Sequence, residues 1–174
     1  MVTPIREHMY HVGILTVSDR GARGDYEDRS GPLLAQIITE RTAWRVVRQE
    51  IVADDIATIA EALKTWCSQG VHLILTTGGT GFAPRDVTPE ATRLVIERET
   101  PGISEALRAE SLKVTRHAML SRSIAGIRGQ TLIINLPGSP KAVRENMNVV
   151  LPVLPHALDL LNGSPASEAG HRSV

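Results

Sequence analysis

A glycine-rich stretch, Thr76–Gly81 (TTGGTG), carries the clearest chemical signal in the chain. Its three glycines allow a tight turn and let backbone amides approach an anion closely, so the stretch predicts a phosphate-binding nest. It is not a P-loop, because no Gly-Lys-Ser/Thr follows, and the dinucleotide fingerprint fails because Pro84 stands where a third glycine or alanine is needed. The connection from Thr76 to Thr88 is longer than a typical βα loop, which favours a binding function over a plain linker.

Two acidic positions could serve this phosphate site. Asp86 lies in the same loop, and a carboxylate beside a phosphate nest calls for a cation; Mg²⁺ is the natural candidate, because one or two carboxylates plus substrate phosphates hold it. Asp54 follows the second predicted strand and could be a helix N-cap, with Asp55 as a dipole partner, or a functional acid, and both roles are compatible. Asp19 and Asp28 could also reach the crevice, but we interpret them as solvated loop acids.

A Ser or Thr closely followed by Pro recurs at three predicted helix starts, in Ser30-Gly31-Pro32, Thr88-Pro89 and Gly138-Ser139-Pro140. Helix N-termini carry partial positive charge and bind anions without lysine. Each motif alone is adequately explained as a helix cap. Three of them beside the glycine-rich stretch favour an anion-binding site.

Short apolar strands and amphipathic helices alternate along the chain. This order implies βαβ units and predicts an α/β fold: a three-layer, doubly wound, mostly parallel sheet with helices on both faces. Ligands in such sheets bind outside the carboxyl ends of the strands. The predicted strands are Val12–Val17, Arg45–Val52, Val71–Thr76, a short strand or hairpin at Ile124–Arg128, and Thr131–Asn135. Helices are predicted to begin at Ser30, Asp54-Asp55, Thr88, near Ile103 after a break at Pro101-Gly102, and at Ser139, the last ending near Leu161.

The composition bounds the class of protein. A chain of 174 residues, 42% of them apolar, is long enough for one domain with a substantial core, which we place at 10–162 with flexible segments at 1–9 and 163–174. The 19 Lys and Arg balance the 19 Asp and Glu. Because no cluster of like charges occurs and aromatic residues make up only 3% of the chain, a nucleic-acid-binding protein is not supported.

Cysteine and histidine usage argues against disulfide and zinc chemistry. Cys67 is the only cysteine, which excludes an internal disulfide and a thiolate zinc site, and we interpret it as a core thiol. The six histidines show no metal-ligand spacing. No signal-peptide h-region and no apolar run of about 18 residues occurs, so we expect a cytoplasmic protein that contacts no membrane.

Six sequence blocks occur in a fixed order: Thr16–Arg20 (TVSDR), Asp28 with Ser30–Pro32 (SGP), Thr76–Gly81, Pro84–Thr92 (PRDVTPEAT), Met119–Arg122 (MLSR) and Asn135–Pro140 (NLPGSP). Together they resemble the Mog/MoaB-type molybdopterin adenylyltransferases, including the homologous domain of plant and animal molybdenum-cofactor enzymes. The resemblance covers about residues 10 to 162, and six blocks in order are far more specific than the glycine-rich stretch alone.

The resemblance implies an activity and a site. Members of this family transfer AMP from ATP to the terminal phosphate of molybdopterin, with Mg²⁺, and release pyrophosphate. On the matching positions, Asp54 and Asp86 would be the acids needed for activity, and we expect them to hold the Mg²⁺. The nucleotide site would be lined by Gly78, Gly79, Thr80, Gly81, Leu136, Pro137, Gly138, Ser139 and Pro140. The pterin side would comprise Ser18, Asp19, Ser30, Ser121 and Arg122.

The resemblance also implies partners. Family members are commonly trimers and sometimes hexamers, so we expect a homotrimer with ATP and molybdopterin as substrates, and a molybdate-insertion enzyme downstream. The alternative is a molybdopterin-binding carrier or scaffold without adenylyltransferase activity. The retained Arg85–Glu90 stretch (RDVTPE), which some relatives without clear activity have lost, favours the enzyme.

Overall fold

The computed structural model describes residues 8–163, so most of the predicted flexible ends, 1–9 and 163–174, lies outside the described residues. Within that range six strands form one sheet in the order β2-β1-β3-β6-β5-β4. The strands are β1 (His11–Val17), β2 (Arg45–Val52), β3 (Leu73–Thr77), β4 (Arg98–Glu99), β5 (Ala125–Arg128) and β6 (Thr131–Leu136). The helices are α1 (Asp19–Ala22), α2 (Ser30–Arg41), α3 (Ile56–Ser68), α4 (Thr88–Arg93), α5 (Pro101–Val114), α6 (Pro140–Val150) and α7 (Leu154–Leu161), with 3-10 turns at Arg116–Leu120 and Leu151–Val153.

Four neighbouring strands, β2, β1, β3 and β6, run parallel, and β5 and β4 complete the sheet in antiparallel pairing. β5 joins β6 through a two-residue turn, because Arg128 pairs with Thr131. Gly129 in that turn has a positive φ of 54°, which short hairpins favour. The predicted mostly parallel sheet is confirmed. The segment predicted as a short strand or hairpin at Ile124–Arg128 is the strand β5, which forms a hairpin with β6.

Helices cover both faces of the sheet, which explains why the central strands β1, β3 and β6 are apolar at successive positions. On β6, Ile133 belongs to the core formed with α3 and α4, whereas its neighbour Ile134 belongs to the core formed with α2, α5, α6 and α7. Both side chains are completely buried. The predicted three-layer, doubly wound architecture is therefore confirmed.

The structure departs from the predicted elements between the glycine-rich loop and the hairpin. The helix that begins at Thr88 ends at Arg93, and the two-residue strand β4, too short to show a hydrophobic period, follows it. Pro101 occupies the first turn of α5, where its missing N–H has no helical partner to lose, so α5 begins ahead of the predicted Ile103. The single-turn helix α1, capped by the Ser18 side chain, was also not predicted.

Two predictions from composition can be compared with this fold. Cys67 is partly buried at the margin of the α3–α4 core rather than inside it, and burial is the main reason that the pKa of its thiol is raised. Within residues 8–163, every helix is too short or too polar to cross a lipid bilayer.

Candidate functional site

The motifs singled out in the sequence meet at one edge of the sheet. Ser18 follows β1, Asp54 lies just beyond β2, Gly78 follows β3 and Pro137 follows β6. Because these four strands are parallel, their carboxyl ends share that edge. β1 lies between β2 and β3, so the strand order reverses there, which is the position where doubly wound sheets open a ligand-binding crevice.

Residues 78–81 form a glycine strip at this edge. Gly78 and Gly79 have positive φ angles of 96° and 63°, a region that favours glycine. Space requires glycine as well, because a Cβ on Gly78 would collide with the Val17 carbonyl oxygen and one on Gly79 would collide with Thr88 Oγ1. The Gly78 N–H donates to the Leu136 carbonyl at 3.2 Å, which ties the strip to the turn 136–140.

Two carboxylates lie against the glycine strip. Asp54 Oδ1 is 3.0 Å from the position that a Cβ on Gly79 would take, and Asp86 Oδ2 is 2.9 Å from the corresponding position at Gly81. Burial is the largest cause that raises the pKa of the Asp54 carboxyl; the carboxylates of Asp19 and Asp86 raise it further, while a hydrogen bond from the Asp19 backbone opposes them. The structure therefore brings the two predicted catalytic acids together.

Asp54 is not the cap of the helix that follows it. The cap of α3 is Asp55, whose Oδ1 accepts from the Thr58 N–H at 2.9 Å. The Asp54 carboxylate instead accepts from the Asp19 N–H at 2.7 Å, and the Asp19 carboxylate accepts from the Asp54 N–H at 3.0 Å. The N-cap interpretation of Asp54 is wrong, and this reciprocal pair turns its side chain towards the glycine strip.

Asp19 and Asp28 are not solvated loop acids. Asp19 accepts two hydrogen bonds of 2.9 Å from the Arg85 guanidinium, which holds the pKa of the Asp19 carboxyl below its usual value. Asp28 accepts from the Thr16 hydroxyl at 2.6 Å and from the N–H and hydroxyl of Ser30 at 3.0 Å each. The sequence-based interpretation is wrong because Asp19 ties α1 to the glycine-rich loop and Asp28 caps α2.

The three helix starts differ in their capacity to bind an anion. At α2 a carboxylate oxygen of the capping aspartate accepts from the N–H groups of Ser30 and Gly31, so these donors are occupied. At α4 the Thr88 N–H donates to the Gly79 carbonyl at 3.0 Å, and the helix is only 6 residues long. At α6 no side chain caps the start at Pro140. The starts of α2 and α4 therefore do not fit the anion-binding role that the three motifs predict. Of the three, only α6 is a long helix that begins beside the glycine strip without a side-chain cap.

Two cavities adjoin the glycine strip. The first cavity, of about 290 Å³, reaches Gly78 at one end of the strip, and the second, of about 270 Å³, reaches Thr80 and Gly81 at the other. The first cavity is also lined by Ser18, Arg20, Tyr26, Arg29, Ser30, Gly138 and Pro140, among others. The second is also lined by Leu107, Arg108, Ser121, Ser123, Pro137 and Asn146, among others.

The residues predicted for the nucleotide and for the pterin do not separate into these two cavities. Both predicted groups contribute to each cavity. Gly78, Gly138 and Pro140 share the first cavity with Ser18 and Ser30, and Thr80, Gly81 and Pro137 share the second with Ser121. The predicted residues that line neither cavity are Asp19, Asp54, Gly79, Asp86, Arg122, Leu136 and Ser139.

Residues that the sequence analysis missed complete both cavities. Arg20 and Arg29 line the first cavity with Tyr26, and the Arg20 guanidinium carbon lies 5.0 Å from the centroid of the Tyr26 ring. Their position in the connection between β1 and α2, at the ligand-binding edge, is a signal that could have found them. Arg108 and Asn146 line the second cavity from α5 and α6, and no sequence signal marks them because only helix packing brings them together.

The donors at the glycine strip suit Mg²⁺ in combination with a phosphate ligand. Within residues 8–163 no group of three or more His, Cys, Asp or Glu side chains could hold a metal ion. Asp54 and Asp86 each accept a backbone hydrogen bond at Oδ2, the latter from the Ala83 N–H at 2.9 Å, which leaves the Oδ1 atoms for a cation. Two carboxylates together with substrate phosphates are the ligands that Mg²⁺ prefers.

Comparison with known proteins shows where similar chains occur. A family model described as "Probable molybdopterin binding domain" matches residues 13–156. The molybdopterin adenylyltransferase of Helicobacter pylori (strain J99) is 44% identical over 88% of this chain and 89% of its own length. The Gephyrin of Dictyostelium discoideum is 49% identical over 97% of this chain, which spans only 25% of that relative's length. The crystal structure of the molybdopterin biosynthesis enzyme MoaB from Thermus thermophilus superposes with a TM-score of 0.84 at 50% identity, covering 90% of this chain and 99% of that chain.

Proposed function

The chain belongs to the molybdopterin adenylyltransferase family of molybdenum cofactor biosynthesis, and from that membership we propose that it transfers AMP from ATP to the terminal phosphate of molybdopterin. The products would be adenylyl-molybdopterin and pyrophosphate. The observation that carries this proposal is that Asp54 and Asp86 meet at a glycine strip shared by two cavities. A transfer between two substrates requires both to be bound side by side in attack geometry, and a segment shared by two cavities can hold them so.

We assign ATP to the first cavity and molybdopterin to the second. The first cavity contains two arginines, Arg20 and Arg29, and an aromatic ring, Tyr26, which suit phosphates and a base. The second is lined by serines, an asparagine and apolar side chains, which suit a heterocycle recognised by hydrogen bonds, and by one arginine, Arg108, which suits the phosphate of molybdopterin. This assignment keeps Ser121 on the pterin side and moves Ser18 and Ser30 to the nucleotide side. It also places Thr80, Gly81 and Pro137 beside the pterin.

The proposed reaction is an in-line attack by a molybdopterin phosphate oxygen on the α-phosphorus of ATP. A P–O bond forms there while the bond to the bridging oxygen of the β-phosphate breaks, and pyrophosphate leaves. No general base is needed, because the attacking phosphate is already ionised. The Gly78 N–H is engaged by the Leu136 carbonyl, so the N–H groups of residues 79–81 would stabilise charge on the transferred group, and positioning would supply most of the rest. Asp54 and Asp86 would hold Mg²⁺, which neutralises charge on the leaving pyrophosphate when bound.

Substitution of Asp86 tests this proposal. We expect Asp86→Ala to bind molybdopterin as the wild type does but to release pyrophosphate more slowly by about 100-fold or more, because a metal ligand is lost. Asp54→Ala should slow pyrophosphate release to a similar extent. Asp55→Ala removes the cap of α3 at the adjacent position, should retain wild-type turnover, and serves as the matched control. Mg²⁺-dependent pyrophosphate release, measured in parallel with a molybdopterin titration, reports both quantities. Wild-type turnover in Asp86→Ala would refute the catalytic assignment.

The same assay separates the enzyme from the carrier alternative. A wild-type protein that binds molybdopterin yet releases no pyrophosphate from ATP and Mg²⁺ would be a carrier or scaffold. The intact Asp54 and Asp86, with one carboxylate oxygen each left for a cation, favour the enzyme.

We further propose that the chain forms a homotrimer and passes its product to a molybdate-insertion enzyme. The proposal follows from family membership. Sedimentation velocity should give a species of three times the 18.9 kDa chain mass, and a monomer or a hexamer would contradict it.

A further inference from the structure

Arg122 directs its guanidinium into the glycine-rich loop and lines neither cavity. Nε donates to the Gly81 carbonyl at 2.7 Å, and Nη2 donates to the Asp86 carbonyl. The Arg122 backbone N–H also donates to the Thr80 carbonyl at 2.9 Å. Arg122 therefore forms hydrogen bonds with the loop at both ends of the segment 81–86.

The charge of Arg122 is engaged by the protein as well. Glu90 accepts from Nη1 and, at 3.3 Å, from Nη2, so the guanidinium faces a carboxylate on the first turn of α4. The hydrogen bond from Arg122 is the largest cause that holds the pKa of the Glu90 carboxyl below its usual value. Because the guanidinium donors and charge of Arg122 are already used by protein groups, they are poorly available to a substrate phosphate.

The position of the Asp86 carboxylate depends on the main chain that Arg122 holds. The Asp86 N–H donates to the Ala83 carbonyl and the Ala83 N–H donates to Asp86 Oδ2, both at 2.9 Å, so this side chain is folded onto its own loop. The turn can move as a unit, because Phe82, Ala83, Pro84 and Arg85 are all exposed. Two sets of hydrogen bonds oppose that movement. Arg122 binds the two ends of the turn, and the Arg85 side chain donates to the Asp19 carboxylate at 2.9 Å in both bonds.

We propose that Arg122 is a positioning residue, with Glu90 as its counter-ion, which holds the turn 81–86 so that the Asp86 carboxylate stays at the glycine strip. This role replaces the substrate contact that the family resemblance implies for Arg122. It rests on the proposed function in one respect, the role of Asp86 as a Mg²⁺ ligand. The anchoring of the turn is independent of that role.

Arg122→Gln and Glu90→Gln test the proposal, with Arg93→Gln, an exposed arginine on α4, as the matched control. In both test variants, amide hydrogen exchange at residues 82–86 should accelerate by about tenfold, because the turn opens more often. The half-saturating Mg²⁺ concentration should rise by about 10- to 100-fold, the usual effect of losing a group that orients a metal ligand. The KM for molybdopterin should stay within about twofold of the wild-type value, since no substrate contact is lost. Arg93→Gln should change none of the three.

The outcomes are distinguishable from one another. A higher molybdopterin KM with unchanged exchange and Mg²⁺ dependence would mean that Arg122 binds substrate, and would overturn the proposal. If the wild type shows no adenylyl transfer, the proposed function fails but the exchange experiment still decides the anchoring role: unchanged exchange in both variants overturns it and faster exchange supports it. Glu90→Gln keeps an amide acceptor for the guanidinium, so it carries the test if Arg122→Gln does not fold.

Discussion

Two adjacent aspartates at the end of β2 have opposite environments. Asp54 is partly buried beside the carboxylates of Asp19 and Asp86, which together raise the pKa of its carboxyl. Asp55 accepts hydrogen bonds from the N–H and hydroxyl of Thr58, and these bonds hold its pKa below the usual value. At the scale of the residue, one acid is therefore kept at a cost in stability and the other stabilises α3.

Asp54→Asn should raise the melting temperature at neutral pH. The pKa of the Asp54 carboxyl is raised in the folded state, so this group ionises at lower pH in the unfolded chain than in the folded one. The wild type therefore loses stability as the pH rises from the ordinary pKa of 3.8 to the folded pKa. The amide lacks this penalty and can still accept from the Asp19 N–H. The gain in melting temperature should therefore be present at pH 7 and disappear below the ordinary pKa, as thermal unfolding across pH will show.

Asp55→Asn is the control for that measurement, and its effect on the melting temperature at neutral pH should have the opposite sign. A lowered folded pKa contributes stability above the ordinary value, and that stability is lost as pH falls through the folded pKa. This variant should melt below the wild type at pH 7 and approach it in acid. The same sign in both variants would contradict the environments described for the two carboxylates.

At the scale of the element, the connections after the parallel strands carry the chemistry, and each has a defined backbone. The turn after β3 places Gly78 and Gly79 against Val17 and Thr88, where a Cβ does not fit. The Thr88 hydroxyl also donates to the Gly78 carbonyl at 2.9 Å, so the start of α4 and the glycine strip form one unit. Changing this backbone should therefore affect stability and activity together.

Gly79→Ala should destabilise the protein and abolish adenylyl transfer. Its φ of 63° strains any other residue by about 1–3 kcal/mol, and the new Cβ would also push against Thr88 and Asp54. Gly129→Ala is the matched control, because Gly129 has a φ of 54° but nothing within 4 Å of an added Cβ. In the control, the free energy of unfolding should fall by only about 1–2 kcal/mol and the activity should be retained. Equal losses in urea unfolding would show that crowding at the glycine strip has no effect.

At the scale of the whole molecule, two hydrophobic cores hold the sheet that positions the site. Ile133 and Ile134 are adjacent on β6, yet they belong to different cores on opposite faces. β6 lies between β3 and β5 and continues into the turn 136–140 at the glycine strip. The geometry of the site therefore depends on packing on both faces.

Ile133→Ala and Ile134→Ala should each lower the free energy of unfolding by about 2–5 kcal/mol, because each leaves a cavity in a filled core. A sheet with one solvated face would lose that much from only one of the two. Ile51→Ala on the edge strand β2, where the side chain is 41% exposed, should cost less than about 1 kcal/mol. Urea unfolding of the three variants measures the differences.

Much of this molecule was determined by local pattern. Apolar runs bounded by turn residues predict three of the four parallel strands, β1, β3 and β6, whereas the fourth, β2, is polar and largely exposed. The rule that parallel strands share a carboxyl edge predicts that Asp54, Gly78 and Pro137 lie together. Pro101 was identified as a break because proline ends a helix, yet the two residues of β4 were missed, since so short a strand has no period.

What only the tertiary structure decided are relations between residues far apart in the chain. Asp54 faces the glycine strip rather than capping α3 because of Asp19, 35 residues away, and Arg122 holds the Gly81 carbonyl from 41 residues away. The lining of the second cavity likewise depends on how α5 packs on α6. Sequence pattern reports the local preferences of the backbone and the side of each element that is apolar, whereas hydrogen bonds between side chains and distant backbone atoms exist only once the layers have packed.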